Sequence, residues 1–127
     1  MIGILIITHN NVGRALSDAA TSVLGNCPMP VEIISVSQNC DPEELTKKAK
    51  ACLKKLNQQD GILVITDMYG STPSNIATKL ASDNVRIITG INLPMLVRIM
   101  NYPKLSLEKL ANKAVSAGQT GVIIVEN

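Results

Sequence analysis

At 127 residues, 46% of them hydrophobic, the chain has the size of a single domain, residues 1–127, with enough apolar side chains for one core. Two tyrosines with no Phe or Trp leave no stacking platform for single-stranded nucleic acid, and a net charge of +2 argues against a duplex footprint, so no nucleic acid partner is expected. One histidine and three scattered cysteines, without a C-x-x-C, offer neither a disulfide framework nor a metal site.

Residues 2–7 are apolar almost throughout, as a strand covered on both faces requires. From Val12 the spacing changes to Val12, Ala15, Leu16, Ala19, Ala20, Val23 and Leu24, which predicts an amphipathic helix ending near Gly25. Residues 31–36 predict a second strand. Asp41-Pro42-Glu43-Glu44 combines an N-cap, a first-turn proline and two carboxylates facing the helix dipole. The helix it opens should bury Leu45, Ala49, Cys52, Leu53 and Leu56, and its lysines (Lys47, Lys48, Lys50, Lys54, Lys55) read as a solvated face.

Residues 61–66 predict a third buried strand. Asp67 to Pro73 then read as a turn and a helix start, with Thr72 as N-cap and Pro73 at the first helical position. A fourth strand over residues 85–89 leads through Gly90-Ile91-Asn92-Leu93-Pro94 into a short helix reaching Met100. Ser106 caps a last helix that should turn Leu107, Leu110, Ala111, Ala114 and Val115 inward and end at Gly118. Residues 121–125 predict a fifth strand.

Strands alternating with helices predict an α/β fold, a doubly wound three-layer sandwich. Right-handed crossovers favour a mainly parallel sheet of order 2-1-3-4, with an antiparallel edge as one option for the fifth strand. Ligands of such sheets bind beyond the carboxyl ends of the strands, where strand order reverses; here that is between strands 1 and 3. His9 and Asp67 meet there with Gly70, Ser71 and Thr72.

That set suits a histidine that carries a phosphoryl group. One imidazole nitrogen attacks while a carboxylate holds the proton on the other and fixes the tautomer. Backbone N–H groups and the hydroxyls of Ser71 and Thr72 would receive the phosphoryl oxygens. Neither G-x-x-x-x-G-K-[ST] nor G-x-G-x-x-G occurs, and the paired carboxylates of a magnesium site are missing after strand 1. No cofactor and no metal are therefore expected. The longest apolar run, residues 4–7, cannot span a bilayer, and the first residues lack a signal-peptide pattern. A cytoplasmic protein, not embedded in a membrane, is the expectation.

Four blocks in order, together spanning essentially the whole chain, resemble the IIA component of the mannose family of the bacterial sugar phosphotransferase system. They are Ile2 to His9, Asp67 to Asn75, Gly90 to Leu96, and the last helix with its short strand. The resemblance implies that His9 accepts a phosphoryl group from phospho-HPr and passes it to a IIB component, with the residue matching Asp67 bonded to the ring. It also implies a homodimer that exchanges the last, antiparallel strand, here residues 121–125. Three positions depart from the usual pattern: Asn10 stands where glycine is usual, Ser71 where a second glycine is common, and Thr72 where serine is common. The alternatives are a regulatory phosphoprotein of an incomplete system without sugar transport, the related phosphoryl donor of dihydroxyacetone kinase, and a flavodoxin-like binding module without chemistry.

Overall fold

A computed structural model describes residues 1–56 and 59–126. Four strands, β1 (Gly3–His9), β2 (Val31–Val36), β3 (Ile62–Thr66) and β4 (Val85–Thr89), form one parallel sheet of order β2-β1-β3-β4. Five helices complete the described chain: α1 (Val12–Leu24), α2 (Pro42–Leu56), α3 (Thr72–Thr78), α4 (Leu93–Asn101) and α5 (Leu107–Thr120).

Both faces of the sheet are covered, which explains the lack of polar alternation in β1 and β3. Ile4, Ile6, Leu63, Ile65 and Ile88 pack under α1, α4 and α5, against Ala20, Leu96, Ile99, Leu110 and Ala114. Leu5, Ile7, Ile34, Val36 and Val64 face the other way, toward Ala49 and Leu56 of α2 and Ile76 and Ala77 of α3. The pleat divides successive residues of each central strand between two cores.

Several local expectations change. β1 runs on to His9, two residues beyond the apolar stretch, because its ladder with β2 continues through Thr8 and His9. α1 turns Gly13, Ser17 and Ala20 inward, leaving Val12 and Val23 exposed. The reason is a close approach: a Cβ on Gly13 would stand 2.6 Å from Ile6 Cγ2, and the Gly13 N–H donates to Thr8 Oγ1 at 2.7 Å. Such contact fixes the rotation of the helix more firmly than its apolar stripe does.

The cap of α3 is Ser71, not Thr72: the Asn75 N–H donates to the Ser71 carbonyl at 2.9 Å, and Ser71 itself is extended. α5 does not stop at Gly118. That glycine is where α5 meets α4, since a Cβ there would lie 2.9 Å from Met95 Cε. Asn92 ties the two helices by capping α4 at the Met95 N–H and donating to the Gly118 carbonyl at 2.9 Å. Val115 is exposed rather than inward.

Residues 121–125 add no strand to this chain's sheet. They leave α5 without a ladder, and Val122, Ile123, Ile124 and Val125 are 73–89% exposed. The sheet therefore has four parallel strands among the described residues, and the outer edge of β4 is left without a strand neighbour.

Candidate functional site

His9 closes β1 and Asp67 follows β3, so adjacency of these strands brings two residues 58 positions apart into contact. One carboxylate oxygen, Asp67 Oδ2, accepts from the His9 backbone N–H at 3.0 Å and lies 2.8 Å from His9 Nδ1. This double attachment fixes the ring relative to its own backbone. The Asp67 side chain is 15% exposed and that of His9 41%, so the carboxylate is enclosed while the ring reaches solvent. Among the described residues nothing bonds Nε2.

Asp67 Oδ1 and Thr66 Oγ1 are buried without a hydrogen-bond partner among the described residues. Unpartnered buried oxygens are uncommon in folded proteins.

The turn after His9 is tightly constrained. Asn10 has φ 46° and donates its backbone N–H to the Val36 carbonyl at 3.0 Å. It is the one residue other than glycine with positive φ among those described. Two residues later α1 begins, held by the Thr8–Gly13 hydrogen bond.

A cleft of about 410 Å³ opens beside the histidine, lined by His9, Asn10, Val36, Ser37, Gln38, Cys40 and Thr72. It lies between the loops that lead into α2 and α3, because both helices pack on one face of the sheet while α1 leaves for the other. His9, Asp67 and Thr72 thus converge as the sequence suggests. Gly70 and Ser71 do not line the cleft. Gly70, at φ 80°, shapes the turn, and the Ser71 hydroxyl donates to the Met68 carbonyl at 2.6 Å.

The loop of Ser37, Gln38 and Cys40 is the part that sequence reasoning misses. Its signal was present in the strand order: with β2 beside β1, the end of β2 must rise next to His9. Apart from His9 itself, no lining residue is basic, and none is Asp or Glu. A larger depression of about 530 Å³ lies at the amino ends of the strands, bordered by Met1, Asp60 and residues 103–107, with no comparable set of reactive groups. No group of three or more metal-ligating side chains occurs among the described residues, and none of their helices is long and apolar enough to cross a membrane.

Comparison with known proteins bears on the family and the fold. The chain is 32% identical over 125 residues to the mannose-specific EIIAB component of the phosphotransferase system (PTS) of Escherichia coli K12. That match covers 95% of this chain but 38% of the relative, so the chain spans about two fifths of that protein's length. It is 25% identical to the fructose-specific EIIA component of Bacillus subtilis 168, over 94% of this chain and 83% of the other. The fold matches the mannose/sorbose-specific IIA subunit of Enterococcus faecalis with a TM-score of 0.88 at 21% identity, covering 98% of this chain and 95% of that one. It also matches the IIA protein associated with the fucose utilization operon of Streptococcus pneumoniae, with a TM-score of 0.81 at 25% identity, over 97% and 92% of the two chains. Residues 3–115 match the EIIA-man family model, described as the PTS system fructose IIA component, and the chain belongs to that family.

Proposed function

We propose that the chain is a phosphocarrier of a sugar phosphotransferase system, accepting a phosphoryl group from phospho-HPr on His9 and passing it to a IIB component in the cytoplasm. One observation carries the reading: His9 Nδ1 is engaged by Asp67 at 2.8 Å, and Nε2 is left without a partner on a part-exposed ring.

In this reading Nδ1 keeps its proton and donates a hydrogen bond through it to Asp67 Oδ2, so Nε2 holds the lone pair. That pair forms the new N–P bond as the donor's N–P bond breaks and its electrons return to the donor's imidazole. The carboxylate stabilises the positive charge that the ring gains, and no proton has to leave the site. In the same reading Thr72, which lines the cleft and whose hydroxyl has no partner among the described residues, donates to a phosphoryl oxygen. With no Lys or Arg lining the cleft, the phosphoryl group is held by neutral donors, which suits a group that must be handed on.

The same reading has the chain acting as a homodimer that exchanges residues 121–125. Four consecutive exposed apolar residues and an unpaired β4 edge support it, since both are ordinarily covered.

Incubation with phosphoenolpyruvate, enzyme I and HPr should give an acid-labile, alkali-stable phosphoprotein, and His9→Ala should abolish the label. Full labelling of that variant would overturn the assignment.

A further inference from the structure

Positive φ is found at five positions among the described residues, and four of them are glycine: Gly25, Gly61, Gly70 and Gly90. The fifth is Asn10, which directly follows His9 and lines its cleft. At φ 46° a side chain is disfavoured, and asparagine tolerates the region only better than other non-glycine residues do. The backbone requirement alone would be met more easily by glycine. What asparagine adds is a carboxamide, and it adds it beside the nucleophile.

Three further observations give that carboxamide a task. The Asn10 backbone N–H is committed to the Val36 carbonyl, so anything Asn10 offers to a ligand must come from its side chain. That side chain has no hydrogen-bond partner among the described residues. The Ser71 hydroxyl is already spent on the Met68 carbonyl, and no Lys or Arg lines the cleft. The neutral side-chain donors lining the cleft are then Asn10, Ser37, Gln38 and Thr72, and of these Asn10 is the one joined directly to His9.

We propose that Asn10 is a phosphoryl-binding residue: its Nδ2 donates a hydrogen bond to the phosphoryl group on His9 and stabilises the phosphorylated state. This rests on the reading of His9 given above. No bond to phosphorus is made or broken by Asn10, and it transfers no proton.

The test is the equilibrium partition of labelled phosphoryl groups between HPr and the full chain, with the phosphorus NMR shift of the phosphohistidine as a second readout. Asn10→Gly keeps the backbone conformation and should melt no lower than the wild type. A lost hydrogen bond to a charged, partly solvated group should move its partition about tenfold toward HPr. Asn10→Asp retains the tolerance of positive φ but sets a carboxylate against the phosphoryl oxygens, so it should move the partition further in the same direction. The phosphorus shift should differ from wild type in both variants. A partition unchanged in Asn10→Gly, or one no worse in Asn10→Asp than in Asn10→Gly, overturns the role of Asn10. Failure of the wild-type chain to take label at all would instead overturn the reading of His9.

Discussion

The His9–Asp67 contact at 2.8 Å and the Lys55–Glu32 contact at 3.1 Å are both nitrogen–oxygen pairs between side chains of opposite tendency. They differ in what holds them. Asp67 stands at the end of a central strand, is enclosed, and grips both the ring and the backbone of its partner. Lys55 lies near the end of α2, is 73% exposed, and reaches Glu32 by a flexible stem. A pair of the second kind gains little, because water screens it and side-chain entropy opposes it. A pair of the first kind orients a reactive group, and its value lies in geometry rather than in stability.

Mutations can break this contrast. Asp67→Ala should slow phosphoryl transfer by roughly two orders of magnitude, because the ring loses its tautomer and its orientation. The far-UV circular dichroism spectrum should stay as in the wild type. Unchanged transfer kinetics would put Asp67 on the same footing as Glu32. Gly13→Ala should act through the scaffold. A Cβ 2.6 Å from a fully buried isoleucine methyl group forces α1 away from β1, and the net destabilisation should be about 1–2 kcal/mol even after the gain in helix propensity. Chemical denaturation would measure it, and a variant as stable as the wild type would show that the approach of α1 to β1 is not tight. Lys55→Ala should change stability by less than about 0.5 kcal/mol. A larger loss in the same measurement would mean that the surface pair is more than a solvated contact.

The two regions also differ in how visible they were beforehand. Apolar runs without alternation announce strands covered on both faces, and the capping chemistry at Asp41 and Ser106 announces helix starts; the Glu43 N–H does bond the Asp41 carboxylate, and the Lys109 N–H the Ser106 hydroxyl. These signals are local, so the element order and the strand order 2-1-3-4 follow from them with the crossover rule. His9 and Asp67 were legible for the same reason, each marking the end of a recognisable strand. The inward face of α1 was legible only in part: Leu16, Ala20 and Leu24 of its stripe do pack on the core. Its apolar stripe includes Val12 and Val23, which are exposed, and its contact with β1 is made through Gly13, whose lack of a side chain leaves no trace in a hydrophobic pattern. Nor did the pattern of residues 121–125 settle their pairing. An alternating or apolar run states that a segment can be a strand, while only a free edge within reach makes it one.

Taken alone, the sequence determined which segments become strands and helices, which strands are central, and which histidine and carboxylate stand at their ends, because each is fixed by neighbours within a turn or two. Tertiary structure decided on which side of that histidine a cleft would open. α2 and α3 cover one face of the sheet and α1 the other, so the loops ending in Cys40 and Thr72 rise together over β1. Those loops are far apart along the chain, and only the packing of their helices on a common face brings them within reach of one ring.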